Sequence, residues 1–253
     1  MRGVVLSGGF GSRLAPLTEV INKHCLPVGE EPMLFHPIRR LVEAGIDEIL
    51  VVTGGNNPDG FLALLKNGNC PPHADLGVKT LYYAYQEGAG GIAEALKLAE
   101  KFVGEDPFAV VLGDNIFTGN LKPHVDKYLA LDPVANNLAK IFLYEVNDPQ
   151  RFGCAAIEDG RITEIIEKPK NPPSNYAVVG IYFYPPSIFK EILGNLKPSA
   201  RGELEITDCN NHYLKHHRLQ YGILDGKWTD AGTWPSYAEA NRVIAEKKNE
   251  SSK

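Results

Sequence analysis

From Gly3 to Asn115, short apolar runs and amphipathic stretches take turns, and no other feature narrows the fold so far. "GVVLSG" (3–8), "DEILVVTGG" (47–55), "VKTLYYAYQ" (78–86) and "PFAVVLGDN" (107–115) read as strands. Between them "EPMLFHPIRRLVEAG" (31–45), "GFLALLKNG" (60–68) and "GGIAEALKLAEKFVG" (90–104) predict helices, the first from apolar residues at three- and four-residue spacing. Strands alternating with helices imply a mostly parallel sheet with helices on both faces. The fold class expected is therefore α/β, in a Rossmann-like three-layer α/β/α arrangement.

After Leu138 the rhythm changes. "AKIFLYEV", "CAAIE", "RITEIIEK" and "YAVVGIYFYP" lie close together with turns such as "EDGR" between them, which predicts a smaller antiparallel addition. Two helices, "PSIFKEILGNL" and "LEITDCNNHYLKHH", a strand near "LQYGIL" and a helix from about Pro235 complete the pattern. The polar tail "EKKNESSK" is expected to fray. A chain of 253 residues without repeat or low-complexity linker reads as one domain over 1–253. The rhythm divides it into residues 1–137, a substrate-binding half over 138–240 and a polar tail over 241–253.

A glycine loop stands directly after the first strand, in "LSGGFGSRL" (6–14). Leu14 occupies the place of the third glycine of a dinucleotide fingerprint, and no Gly-Lys-Ser/Thr follows, so neither common phosphate loop fits. The glycines still let backbone N–H groups approach phosphate oxygens, and Arg13 adds a fork of donors. Ligands of open α/β sheets bind beyond the carboxyl ends of strands. Asp114 ends such a strand, where a carboxylate commonly holds a hard divalent cation. Lys23 lies in a long segment between Pro16 and Pro27, beside the loop. Glu167 and Lys168 precede Pro169, which biases Lys168 towards extended backbone. "KWTDAGTW" supplies Trp228 and a second carboxylate, Asp230. Arg201, Glu203, Glu205 and Asp208 read as a network that props the site, with Thr207 and Asp208 on a helix surface.

The formal charge of −5 excludes an extended nucleic-acid footprint, so the few cations that meet phosphates must be gathered locally. Cys25, Cys70, Cys154 and Cys209 are too scattered for a zinc knuckle or redox pair. His212 and His216 stand four apart, but without a Glu after the first they read as a solvated helix face. Neither a signal peptide nor a long apolar run is seen, and a cytoplasmic protein without membrane attachment is expected.

Together the segments "LSGGFGSRLAPLT", "NKHCLPVGEEPM", "GGIAEAL", "VLGDNIF", "DPQRFG", "EKP", "NYAVVGIYFY", "KPSARGELEITD" and "WTDAGT" resemble, in this order, the sugar-phosphate nucleotidyltransferases. The resemblance runs from Gly3 to about Ala240 and implies that 1–137 is a nucleotide-binding half and 138–240 a sugar-phosphate-binding half. It implies that Gly8, Gly9, Gly11 and Arg13 cradle a triphosphate, joined by Lys23, with Leu6 and Ser12 also in the nucleotide site. It puts Gln86 and the backbone of Gly91 on the pyrimidine edge, and Asp114 and Asp230 on Mg2+. Leu112, Gly153, Glu167, Val178, Gly180 and Trp228 would surround the sugar, with Lys168 on its phosphate. Arg13, Lys23, Asp114 and Lys168 would carry catalysis. The implied substrates are dTTP, or UTP, and glucose 1-phosphate, and the products dTDP-glucose and pyrophosphate. A homo-oligomer is left open, and a short form without the C-terminal helical extension of longer members is expected.

The chain departs from that pattern at Ser7 (alanine is usual), His24-Cys25 (Gln-Leu), Ala231 (threonine), and Gly90 and Glu94 in the loop that would read the base. A non-catalytic nucleotide-sugar sensor on the same fold is the competing reading. It would be expected to have lost a phosphate or metal group, and all five charged groups are present.

Overall fold

The computed structural model describes residues 1–55, 58–70 and 74–251, and the chain clusters into two compact units. The first comprises Arg2–Ala89, Val111–Pro123 and Asp225–Lys253; the second comprises Met1, Gly90–Val110 and His124–Leu224.

In the first unit Arg2–Ser7, Glu48–Gly54 and Thr80–Gln86 pair in parallel, with Gly3 opposite Ile49 and Glu48 opposite Thr80. Val4, Val5, Ile49, Val51 and Val52 are fully buried, as continuous apolar strands in a parallel sheet must be. The Phe108–Leu112 strand enters this unit at Val111 and lies on the other side of Arg2–Ser7. The strand order therefore reverses beside Arg2–Ser7. A doubly wound sheet offers its ligand crevice at such a reversal, at the strands' carboxyl ends. Ser7 and Leu112 end there, just before the glycine loop and Asp114.

Two features of this unit were not legible in the strand-helix rhythm. Residues 12–25 coil through three short 3-10 turns, Ser12–Leu14, Leu17–Glu19 and Lys23–Cys25. Asn115–Phe117 pairs antiparallel with Trp228–Asp230, setting Asn115 opposite Asp230. Leu14, Leu26, Val28, Met33 and Ile116 pack with Ala231, Ala240 and Val243 into one apolar cluster, which ties the coil and the hairpin to the last helix. That helix runs Trp234–Ser251, so most of the tail expected to fray is helical. Glu30–Lys248 and Lys227–Glu246 ion pairs decorate it.

The second unit holds the antiparallel part. Ala139–Glu145 pairs antiparallel with Tyr176–Tyr184, and Gly153–Glu158 pairs antiparallel with both Arg161–Glu167 and Tyr176–Tyr184. Leu219–Ile223 runs parallel to Ala139–Glu145. Phe108, Tyr128, Phe142, Phe183, Tyr184 and Tyr213 fill its interior. The helix expected over 90–104 is divided into Ile92–Lys97 and Glu100–Val103. Mixed α/β, with a mainly parallel central sheet and antiparallel additions, is thus the fold observed, as expected.

Candidate active site

In the first unit the glycine loop, Lys23 and two carboxylates come together. Gly11 takes φ 68° at the entry to the Ser12–Leu14 turn, a left-handed conformation that favours glycine. Lys23 Nζ donates to Asp114 Oδ2 at 2.5 Å, and both side chains are largely buried. Asn115 Nδ2 donates to the other oxygen, Oδ1, at 3.0 Å, and the buried Trp228 indole N–H donates to Asn115 Oδ1 at 2.8 Å. Trp228, expected at the sugar, is thus linked through Asn115 to Asp114. The Asp114 carbonyl accepts from Ala231 N–H at 2.8 Å.

Gly232 locates the second carboxylate and the arginine. A Cβ built there would lie 3.2 Å from Asp230 Oδ2, 3.3 Å from Arg13 Nη2 and 3.7 Å from Asp114 Oδ2. Two carboxylates and a guanidinium, from three distant stretches of sequence, face one point. Any larger residue at 232 would fill it.

Burial alone would disfavour the Asp114 carboxylate, but Lys23, His24 and the hydrogen bonds from Lys23 and Asn115 outweigh it. Its pKa lies well below the ordinary range. Burial pushes the neighbouring His24 imidazole down to about 3, Lys23 adding to the shift and Asp114 opposing it. Asn22 fixes this stretch: its Nδ2 donates to the Gly54 carbonyl at 3.0 Å, and its Oδ1 accepts from His24 N–H at 3.1 Å. Gln86 ends its strand with its amide against Gly8, where a Cβ would lie 2.5 Å from Gln86 Oε1.

In the second unit, strand register sets Gly153 beside both Glu167 and Val178, with Gly180 two residues further along its strand. Thr207 Oγ1 donates to Glu167 Oε2 at 2.6 Å, Arg201 Nη2 to Oε1 at 3.3 Å, and Lys168 Nζ lies 3.7 Å from Oε1. Thr207, read from sequence as a surface residue, is buried, because the inward face of the Ile206–Lys215 helix packs on the Arg161–Glu167 strand. Arg201 grips Glu205 through both carboxylate oxygens at 2.7 and 2.8 Å, which makes this stretch the network expected. Lys168 itself takes φ 43° rather than extended backbone. Its N–H donates to the Phe152 carbonyl at 3.0 Å, and this tertiary bond overrides the local bias from Pro169.

Gly91 takes φ 94°, and a Cβ there would meet the Leu204 carbonyl oxygen at 2.7 Å. The expected base-reading residues are divided: Gln86 belongs to the first unit and Gly91 to the second. The predicted triphosphate and metal groups all fall in the first unit. Gly153, Glu167, Lys168, Val178 and Gly180 fall in the second, while Leu112 and Trp228 fall in the first. Asn22, Asn115 and Thr207 were missed as site residues. An amide or hydroxyl that supports a charged group carries no sequence signal of its own. Cys25, Cys154 and Cys209 are free thiols, and the Cys70 side chain lies outside the described residues.

The nucleotidyl transferase family profile matches residues 2–247. The chain belongs to the nucleotidyl transferase family. This nucleotidyl transferase is 40% identical over 252 residues to the glucose-1-phosphate thymidylyltransferase of Neisseria meningitidis, covering 98% of the chain and 84% of that protein. It is 40% identical over 244 residues to the Mycobacterium tuberculosis enzyme of that name, covering 95% and 81%. A Bacillus anthracis protein assigned to the same activity, solved with sucrose, superimposes with a TM-score of 0.88 at 47% identity, over 96% and 94% of the two chains. A UDP-glucose pyrophosphorylase solved with UDP-glucose superimposes at 0.84 and 26% identity, over 97% and 98%.

Proposed function

We propose that the protein transfers a thymidylyl group from dTTP to α-D-glucose 1-phosphate, giving dTDP-glucose and pyrophosphate. A phosphate oxygen of the sugar attacks the α-phosphorus; that P–O bond forms as the α–β phosphoanhydride bond breaks. No side-chain nucleophile is needed, so catalysis is positioning and charge stabilisation. The observation that carries the reading is the convergence of Arg13, Asp114 and Asp230 on one point beside Lys23 and the glycine loop. The thymidylyltransferase relatives at 40–47% identity, against 26% for the uridylyl enzyme, favour dTTP over UTP.

In this reading Gly8, Gly9, Gly11 and Ser12 receive the triphosphate, and Arg13 neutralises charge that builds on departing pyrophosphate. Gln86 and Gly91 read the pyrimidine edge. Lys168 holds the sugar phosphate, and Glu167, oriented by Thr207, accepts from sugar hydroxyls. Asp114 and Asp230 would hold Mg2+. Among the described residues no group of three His, Cys, Asp or Glu is placed for a metal. Two carboxylates, completed by phosphate oxygens and water, suit Mg2+ and lack the imidazole or thiolate that a softer ion favours. When bound, the ion would neutralise and orient the phosphates. Among the described residues no helix is long and apolar enough to cross a membrane, and a cytoplasmic enzyme fits these water-borne substrates.

Initial rates of pyrophosphate release with glucose 1-phosphate and dTTP, UTP, CTP, ATP or GTP test the reading. dTTP should give the highest kcat/KM and UTP the next. Preference for CTP or a purine nucleotide would overturn it, because a Gln86 amide pairs with the edge that thymine and uracil share.

A further inference from the structure

Lys23 serves two places that need a cation. Its stem crosses the glycine loop: a Cβ at Gly11 would lie 3.0 Å from Lys23 Cβ, and one at Gly9 would lie 3.7 Å from Nζ. Its ammonium is nevertheless bonded to Asp114 Oδ2 at 2.5 Å. Oδ2 is also the oxygen that lies near Gly232, while Oδ1 accepts from Asn115. The lysine therefore occupies the same atom that a divalent ion shared with Asp230 would take.

An ammonium at hydrogen-bond distance and a divalent ion in direct contact, both on one oxygen, would stand only about 4–5 Å apart. They would repel strongly in a partly dehydrated site. We propose that Lys23 is the internal counterion of the metal site. In the ligand-free protein it closes Asp114 against divalent ions; when a triphosphate enters the glycine loop, the ammonium moves to phosphate and opens Oδ2. The movement is short, because the lysine stem already lies along that loop. The inference rests on the assignment of Asp114 to the metal proposed above. Its consequence is reciprocal coupling: metal and nucleotide each bind weakly alone and each strengthens the other by the same factor.

Binding of Mn2+ alone to the nucleotide-free protein, followed by the loss of free-ion EPR signal, tests this without any turnover. Lys23→Met should tighten Mn2+ binding by about tenfold, within the usual range of coupling between two sites. Lys23→Gln should do the same, which guards against a folding defect peculiar to one variant. Arg13→Met removes an equal charge from the same cluster without freeing Oδ2, and should tighten Mn2+ binding clearly less than either Lys23 variant does. Equal tightening by the Lys23 and Arg13 variants would reduce the effect to general charge and overturn the proposal. So would unchanged affinity in both Lys23 variants. Asp114→Asn in the Lys23→Met background separates the two readings. If Mn2+ still binds there at full strength, the metal assignment has failed; if binding is lost but Lys23→Met alone gave no tightening, only the counterion role has failed.

Discussion

Ser7 and His24 face each other across Gly113. A Cβ on that glycine would lie 2.7 Å from Ser7 Oγ, 2.8 Å from His24 Cδ2 and 3.2 Å from His24 Nε2. Both stand among the departures from the resemblance noted in the sequence. They are 17 positions apart in sequence and meet directly behind Asp114. Ser7 Oγ is fully buried and makes no hydrogen bond among the described residues. His24 Nδ1 lies 2.9 Å from Asn22 Oδ1, so that nitrogen carries the proton and Nε2 is left as an acceptor.

The tightness of that contact predicts the effect of Gly113→Ala. Overpacking a filled interior costs about 1–3 kcal/mol. At this chain length, where 1 kcal/mol shifts Tm by about 2–4 °C, that corresponds to a fall of roughly 2–12 °C by differential scanning calorimetry. Activity should drop further than stability suggests, because the displaced backbone carries Asp114. A variant of unchanged Tm and full kcat would mean that Ser7 and His24 give way freely.

Arg13→Ala and Lys168→Ala should fail differently. Arg13 faces the point shared by Asp114 and Asp230, and its loss should lower kcat by about 10²-fold, the scale of one preorganised donor. Lys168 lies beside Glu167 in the other unit, and its loss should chiefly raise KM for glucose 1-phosphate. Steady-state kinetics with each substrate varied will separate the two; equal, mild effects would show the roles to be wrongly drawn.

Trp228→Phe keeps an aromatic ring but removes the N–H that holds Asn115, which in turn holds Asp114 Oδ1. Supporting groups of this kind are commonly worth 10–100-fold in metal affinity. The Mg2+ concentration for half-maximal rate should therefore rise by about tenfold, while KM for glucose 1-phosphate stays within about twofold. The opposite pattern would favour a role for Trp228 on the sugar alone.

A buried amine elsewhere gives a pH prediction. Lys140 is 3% exposed, with His124 Nδ1 3.4 Å from its Nζ and the Phe142 ring beneath it. Burial, and secondarily Lys127, pull its pKa down to about 8 from 10.5. Between those values the folded protein has released the proton that the unfolded chain still holds, so stability rises with pH across that window. Below pH 8 both states carry the charge and the burial penalty is present in full. Lys140→Met should raise Tm at pH 7 by a few degrees and abolish the rise between pH 8 and 10.5. Thermal melts of the two proteins across pH 7–10.5 will show whether the difference narrows as expected.

The strands were legible in the chain, because a parallel strand buried on both faces needs a continuous apolar run, and "VVL" (4–6), "ILVV" (49–52) and "FAVVL" (108–112) are such runs. Arg13 and Asp114 stood out as candidates, since a charged group in a glycine loop or at the end of an apolar strand has no packing purpose, and the family resemblance added Lys23 and Asp230. How they are arranged depends on contacts made in three dimensions. Three stretches distant in sequence bring Arg13, Asp114 and Asp230 to one point. The pairing of Lys23 with the particular oxygen that faces Asp230 depends on side-chain geometry, which residue spacing does not encode. The same holds for Thr207 beneath Glu167 and for the left-handed turn at Lys168, where a long-range hydrogen bond overrode a local preference. Local patterns are written in the chain because they answer to neighbours along it; supporting contacts answer to neighbours in space.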